Sequence, residues 1–185
     1  MYNTPNATKA ALNSEYIFMS TGDLKVKHAA ILWSNFAGQP TSYNAAGGKR
    51  TFNLVLTPDV GRDLQERGWN IKFRDPQKEG DEMLVYTEIV VNLDSAYPPT
   101  IYICSEFRGK KTKREATEED VNRFDSRRFS DISVMIHPYE HGRPNSSGAT
   151  VKGYLRDMYV VLENDDAFED DYSEYEVPEA EYAPF

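Results

Sequence analysis

Apolar and polar residues alternate along much of the chain between residues 23 and 162, which is the pattern of β-strands with one buried face. The clearest run is the last one, from Val151 to Leu162. Six others precede it: 23–33, 51–56, 69–73, 83–92, 100–105 and 130–136. Because residues 1–22 are mostly small and polar, we expect a flexible N-terminal arm there, with a short ordered turn near Tyr16.

Two short helices are predicted between the strands. Thr57 and the Pro after it have the residue types of an N-cap and a first helical position, so we expect a helix over residues 58–67. Thr117 is the expected N-cap of a second helix, in which Val121 and Phe124 point inward. About seven strands without a βαβ rhythm predict a mostly β domain, an OB-type antiparallel β-barrel with one or two short helices.

The composition fits one domain with tails. The chain has 185 residues, of which 39% are hydrophobic, and no apolar run approaches the roughly 20 residues that a membrane span requires. There is one cysteine, so no disulfide framework is expected, and a reducing, intracellular compartment is the expected location. The predicted divisions are an arm over 1–22, a domain over 23–162 and a tail over 163–185.

The charges divide sharply between body and tail. Of the 30 acidic residues, ten lie in 163–185, where there is no Lys or Arg, and the other 20 share residues 1–162 with all 21 bases. A nearly neutral body therefore carries a tail of charge −10. Such blocks stay solvated and commonly serve as interaction tails. Aromatic residues are spaced through this one up to Phe185, which favours docking into a basic, apolar groove over a tail that only maintains solubility.

The last strand offers the most specific candidate site. Because successive side chains of a strand point to opposite faces, Lys152, Tyr154 and Arg156 share one face, and Leu155 points to the other. A ring between two cations suits single-stranded nucleic acid, since bases stack on the ring and phosphates meet the cations. The alternative is a solvated outer face with one exposed tyrosine. We expect a β-bulge at Asp157, where the alternation breaks.

Other basic and aromatic residues are candidates to extend this face. They occur on the first strand, in and after the long loop that follows it, and in a basic interval after residue 106. These candidates are Lys25, Lys27, Phe36, Tyr43, Lys49, Arg50, Phe107, Arg108, Lys110, Lys111 and Lys113. Individually, each is more often a solvated residue than a binding residue. Together, opposite an acidic aromatic tail, they predict a groove and an internal competitor for it.

Enzymatic function is not indicated. Lys49 follows Gly48 as in a phosphate-binding loop, but Tyr43 stands where the motif requires a glycine and Arg50 where it requires Ser or Thr. His137 and His141 have the spacing of a helical zinc pair, yet Pro138 excludes a continuous helix through them. We therefore expect no catalytic residues, no cofactor and no metal.

Short motifs in the chain resemble a known family. They are Asn35-Phe36-Ala37-Gly38, Tyr43-Asn44, Gly48-Lys49-Arg50-Thr51-Phe52, Gly68-Trp69-Asn70-Ile71-Lys72, Val151-Lys152-Gly153-Tyr154-Leu155 and Met158-Tyr159-Val160. Over residues 23–162 these look like the bacteriophage single-stranded DNA-binding proteins with an OB fold. The tail separately resembles those of phage and bacterial single-strand binders, which are acidic and end in Phe, as Phe185 does here.

The resemblance implies a protein of replication, recombination or repair that binds single-stranded DNA in the cytoplasm of the host cell. It also implies that the tail competes for the groove and recruits replication or recombination proteins, with Phe185 as a contact. No membrane association is expected, and the sequence leaves open whether the protein forms a homo-oligomer. Two alternatives are a virion or scaffolding β-domain and an acidic DNA mimic that inhibits a host protein.

Overall fold

The structure of the protein, a computed structural model, describes residues 4–107 and 109–163. In that part of the chain there are three α-helices, α1 (Thr4–Ala11), α2 (Pro58–Glu66) and α3 (Glu118–Arg123). The strands are β1 (Glu15–Phe18), β2 (Leu24–Lys27), β3 (Ala30–Asn35), β4 (Arg50–Leu56), β5 (Lys72–Arg74), β6 (Leu84–Val91), β7 (Thr100–Phe107), β8 (Lys110–Glu115), β9 (Phe129–Glu140) and β10 (Val151–Leu162). The predicted mostly β class is confirmed.

The strands that form the barrel follow one another in a circuit. β2 pairs with β9, β9 with β10, β10 with β6, β6 with β4, and β4 with β3. The last ladder ends on β3, which continues the same run of chain as β2 after an interruption at His28 and Ala29. The sheet is thus not closed by a final ladder, but the continuous run 24–35 joins its two ends. This is the connectivity of a five-stranded, partly open OB barrel.

Pairing within this circuit is antiparallel except between β10 and β6, which are parallel. The edge of β10 that pairs with β6 is long enough to pair with a second strand as well. Gly153 and Tyr154 pair with β6, whereas residues 157–161 pair in parallel with β7. A register shift between Leu155 and Asp157 confirms the predicted bulge. Met158 and Val160 are buried after it, as the sequence predicted.

Apolar side chains from every strand of the circuit fill the barrel. Phe36, Phe52, Ile89, Ile136 and Met158 are among those with no exposed surface. Burial of this apolar area is the main stabilising contribution to such a domain.

Residues of the N-terminal segment are ordered where a flexible arm was expected, so that prediction is wrong for residues 4–18. Ala7 and Ala11, one helical turn apart, are buried against Leu32 and Val55 on the outside of the barrel. β1 pairs with β2 over its whole length. The buried face of this helix consists of small alanine side chains four residues apart. They are too few to give the clear apolar period by which a helix is predicted from sequence.

Two other elements differ from expectation. The basic interval contains a strand, β8, in which every side chain is exposed and which forms a hairpin with β7. Of the strand predicted over 69–73, only the last two residues lie in a strand, β5, which ends one residue later. α3 agrees with the sequence: Thr117 accepts a hydrogen bond from Asp120 N and forms a capping box, while Val121 and Phe124 are buried. The predicted tail, apart from Glu163, lies outside the described residues.

Candidate nucleic-acid interface

The outer face of β10 presents the three residues that the alternation predicted. Lys152 and Tyr154 are half-buried and Arg156 is exposed, and none of them belongs to the core. Gly153 and Leu155, which alternate with them, are buried inside the barrel. The predicted shared face is therefore present in the structure.

Gly153 lets β10 pack closely on the barrel core because it has no side chain. A Cβ at this position would stand 2.7 Å from Ile89 Cδ1, 2.8 Å from Trp69 Cζ3 and 2.9 Å from Ile136 Cγ2. These distances are closer than Cβ atoms tolerate, so only glycine lets β10 pack this tightly. The close approach involves side chains of the barrel core.

Two aromatic rings meet beside Lys152. Tyr139 on β9 lies directly opposite Lys152, and Tyr154 lies opposite His137. The rings of Tyr139 and Tyr154 are 5.6 Å apart at an angle of 69°, an edge-to-face contact. Tyr139 also meets the ring of His141, at 5.2 Å, where β9 gives way to the β9–β10 loop. The outer face thus carries an aromatic group adjoining a cation.

A cleft of about 560 Å³ opens next to this group. Its lining comes from β4, β5, β6, the start of β10, the β9–β10 loop and Asn70, which precedes β5. The lining residues are Asn53, Asn70, Lys72, Tyr86, Thr87, Glu88, His141, Arg143, Asn145, Ala149, Val151, Lys152 and Gly153. In OB folds the outer face of the second and third strands, here β4 and β6, is the surface that binds oligonucleotides and oligosaccharides.

Positive charge exceeds negative charge around Lys152. Lys49 Nζ bonds to Glu88 Oε1 at 2.8 Å, so Glu88 is already engaged by one cation. Burial lowers the pKa of Lys152, the neighbouring ammonium of Lys49 lowers it further, and Glu88 opposes the shift. Two ammonium groups therefore share one carboxylate, and an added anion between them would relieve the repulsion.

Arg156 is tied to the barrel rather than free. Its Nη1 donates to Asp23 Oδ2 at 2.6 Å, and His137 Nδ1 lies 2.7 Å from the other carboxylate oxygen. Burial of Asp23 opposes its ionisation, but the hydrogen bonds from His137 and Thr21 and the charge of Arg156 outweigh it and lower its pKa. The Arg156 side chain is still 57% exposed, so it can meet a second anion while bonded to Asp23.

The lysines of β2 lie near the same outer face. Lys25 pairs with Met135, which in turn pairs with Asp157, so Lys25 is two strands away from β10. Lys27 is 3.9 Å from Glu15 of β1. In the β3–β4 loop, Tyr43 is fully exposed. Whether these residues contact a ligand remains a prediction.

Two predicted contact residues are structural instead, and these predictions are corrected. Phe36 is completely buried, stacked at 5.6 Å on Phe52 and in contact with Phe124, so its ring is unavailable to a base. Arg50 is only 13% exposed in its side chain and bonds to Asn122 Oδ1, Glu118 and the Phe36 carbonyl. It joins the start of β4 to α3 and has little charge left for phosphate.

The basic candidates after residue 106 lie on the hairpin of β7 and β8, outside the barrel circuit. Lys110, Lys111 and Lys113 are exposed on β8. Phe107 is the last residue of β7. Arg108 lies outside the described residues, as does Phe185. The structure does not bring this hairpin to the cleft; it places it along the far half of β10.

Sequence reasoning missed several aromatic residues on the outer surface. Trp33 is 44% exposed, has a φ of 47° and meets Tyr86 edge to face at 5.1 Å. Arg74 lies 5.5 Å above the Trp33 ring. A tryptophan at positive φ is strained, and such strain is concentrated at functional positions. Trp33 was hidden in an apolar run that indicated a buried strand, and no local signal marks its exposure.

Among the described residues, no group of three or more His, Cys, Asp or Glu side chains is arranged to hold a metal ion. Within 4–107 and 109–163, none of the helices has the length and apolar character to cross a membrane.

A barrel with OB connectivity and an aromatic, cationic outer face defines a class of oligonucleotide-binding domain. The chain belongs to a family of that class, because residues 13–184 match the family described as putative phage ssDNA-binding domain. No curated protein sequence matches the chain significantly.

Solved structures of phage proteins are similar to this one. The single-stranded DNA-binding protein from bacteriophage Enc34 in complex with ssDNA is 11% identical, with 80% of this chain and 91% of that chain covered and a TM-score of 0.48. Gp2.5, a single-stranded DNA-binding protein encoded by bacteriophage T7, is 14% identical, with 92% of this chain and 100% of that chain covered and a TM-score of 0.30.

Proposed function

We propose that this protein binds single-stranded DNA, with little sequence preference, on the outer face of β10 and in the cleft beside it. The observation that carries the proposal is the position of Lys152. It lines the cleft, lies opposite Tyr139 and precedes the outward-facing Tyr154 by two residues. Proteins that bind single strands combine such groups, because bases stack on rings while cations meet phosphates. Membership of the family supports the proposal.

Weak sequence preference follows from the chemistry of the groups on this face. Rings stack on any base, and lysine and arginine side chains meet the phosphates that every nucleotide carries. The cations that line the cleft are Lys72, Arg143 and Lys152, and Lys49 lies beside Lys152. Each phosphate neutralised on a single strand changes the slope of log affinity against log salt concentration by about −0.7.

The proposal assigns the acidic tail a competing role. Ten carboxylates in residues 163–185 are tethered to a body that holds all 21 bases, so the tail is a polyanion at high effective concentration near the groove. It screens the cationic face when DNA is absent. DNA displaces it, and the released tail, including Phe185, recruits replication or recombination proteins.

In the infected cell this activity belongs to DNA replication, recombination or repair in the host cytoplasm. The protein coats exposed single strands and performs no chemical step itself. Association between copies along one strand fits such a role, since cooperativity is usual for proteins that coat single strands.

The direct test is a fluorescence titration of the full-length protein with oligo-dT at two salt concentrations. The proposal predicts tight binding at low salt and weaker binding at high salt. A scaffolding β-domain would show no salt-dependent binding of oligo-dT and would form large assemblies in sedimentation. An acidic DNA mimic would bind a basic protein through its tail and would not bind the oligonucleotide. Either of these results would replace the proposal.

A further inference from the structure

A second aromatic group lies on the outer face of β10, beyond the bulge at Arg156. Tyr159 stacks on Tyr102 of β7, with centroids 5.1 Å apart and an interplanar angle of 26°. Lys113 of β8 places its Nζ 4.7 Å from the centre of the Tyr102 ring and 5.8 Å from that of Tyr159. Two stacked rings beside a cation repeat the chemistry found around Lys152.

These rings are not needed to fill the core. Tyr159 is 41% exposed and Tyr102 is half-buried, and neither belongs to the apolar cluster inside the barrel. They pair across the parallel ladder between β10 and β7, and the neighbouring Ile101, Val160 and Met158 supply the buried side of that ladder. The stack thus stands on the solvent side of an already packed sheet.

The second group is in line with the first. β10 runs without interruption from Tyr154 to Tyr159, and the bulge between Leu155 and Asp157 adds one residue, so both rings remain on the outer face. Four strand positions separate them, which corresponds to about 13 Å at ~3.3 Å per residue. In the other direction, Tyr86 of β6 lines the cleft. Gly153 pairs with Ile89 in the parallel ladder, so Tyr86, three residues before Ile89, lies beside residue 150. That position is four residues before Tyr154.

We propose that Tyr102, Tyr159 and Lys113 form a second stacking platform, on which a single strand continues after it leaves the cleft and passes Tyr154. This inference rests on the proposed function. The bound DNA runs along the axis of β10 and meets aromatic rings at three levels about 13 Å apart. The platform lies partly on the β7–β8 hairpin, outside the five-stranded barrel, so it lengthens the site beyond the cleft. Glu115, opposite Tyr102, limits the cationic surface there to the side of Lys113.

The test is the dependence of affinity on oligonucleotide length. Oligo-dT of graded length, covering the roughly 4–16 nucleotides that single OB domains occupy, is titrated into the full-length protein and its variants. Tyr159→Ala is expected to weaken binding of the longest oligonucleotides by about five-fold or more, the lower end of a single stacking contribution, and to leave the shortest within two-fold. Tyr154→Ala is expected to weaken every length.

Two further variants protect the test from folding effects. Tyr159→Phe keeps the ring and should bind like the unmodified protein at every length. Lys113→Gln alters only an exposed cation and should reduce the salt slope by about 0.7 for the longest oligonucleotides alone. Lys78→Gln, an equal loss of charge in the β5–β6 loop, and Tyr97→Ala, the loss of an exposed ring between β6 and β7, are the matched controls and should change nothing.

The outcomes separate this inference from the proposed function. If the longest oligonucleotide binds Tyr159→Ala and Lys113→Gln as tightly as it binds the unmodified protein, with Tyr154→Ala still impaired, the platform is refuted and the cleft site stands. If the unmodified protein binds no oligo-dT of any length, the proposed function fails and the platform fails with it.

Discussion

The ring of Tyr139 contacts the ring of Tyr154 edge to face, at 5.6 Å, across neighbouring strands. An edge-to-face contact uses only one of the four ring faces of the pair. The contact also restricts the rotamers of both side chains, so less conformational entropy is lost when a base stacks on them. With Lys152 opposite Tyr139, this restriction supports the proposed binding of a single strand, in which flat bases alternate with charged phosphates.

Gly153→Ala is predicted to destabilise the barrel. The new Cβ would come within 3 Å of side chains of Ile89, Trp69 and Ile136. Overpacking of this kind costs about 1–3 kcal/mol, which urea denaturation would measure as a loss in the free energy of unfolding. Gly142→Ala is the control, because nothing lies within 4 Å of its Cβ position, and it should change the free energy little. Equal stability of the two variants would contradict the packing described here.

Asp23→Asn is predicted to reduce stability in a pH-dependent way. The pKa of the Asp23 carboxyl is lowered in the folded protein despite its burial, through His137, Thr21 and Arg156. A carboxyl with a lowered folded-state pKa stabilises the fold above its unfolded-state pKa of about 3.9, and this contribution is lost as the pH falls through the folded-state value.

The loss in Asp23→Asn should be about 1–3 kcal/mol at pH 7 and should shrink in urea denaturation at pH 3. Asp94→Asn, an exposed carboxylate in the β6–β7 turn, is the comparison and should show little difference at either pH. A loss for Asp23→Asn that is the same at both pH values would show that the charge of this carboxylate does not stabilise the fold.

Lys152 is predicted to make DNA binding sensitive to alkaline pH. Burial and the charge of Lys49 lower its pKa, so Lys152 loses its proton at a lower pH than an ordinary lysine, and its phosphate contact weakens there. Oligo-dT affinity should therefore begin to fall at a lower alkaline pH than the titration of an ordinary lysine, with a pKa of about 10.4, would produce. Lys152→Arg stays charged throughout and should flatten that profile. Parallel pH profiles for the two proteins would exclude Lys152 as a phosphate contact.

Removal of residues 164–185 is predicted to tighten DNA binding, most strongly at low salt, because the competing polyanion is lost. The cut leaves Glu163, whose N–H donates to the Arg128 carbonyl at 3.0 Å. A variant of full length in which every Asp and Glu of the tail is replaced by Asn or Gln should behave like the truncation. Unchanged or weaker affinity of the truncated protein at low salt would remove the competition from the account.

Local sequence patterns correctly predicted those parts of the fold that depend on residues close together in the sequence. The alternation in β10 gave the outward side chains and the bulge correctly, and the residue types at Thr117 and Phe124 gave α3 and its buried side. β8 was missed because its side chains are all exposed, and a strand without a buried face shows no apolar period.

The candidate site was less accessible to prediction because it depends on contacts between distant residues. Phe36 stands in a Gly- and Pro-rich loop, a context that suggests exposure, yet it packs on Phe52 and Phe124. Arg50 is satisfied by Glu118 and Asn122, about 70 positions away in the sequence. In contrast, Tyr139 becomes part of the site only because β9 sets it opposite Lys152. The residues next to Tyr139 and Lys152 in the sequence do not indicate how β9 and β10 are aligned.

The most direct test of the central claim is the affinity of Tyr154→Ala for oligo-dT at low and high salt, compared with Tyr154→Phe. The outer face of β10 should bind single strands by stacking, so the alanine variant should lose about 1–3 kcal/mol of binding free energy while keeping its fold and its salt slope. The phenylalanine variant should bind normally. A folded Tyr154→Ala protein that binds oligo-dT as tightly as the unmodified protein would contradict the account.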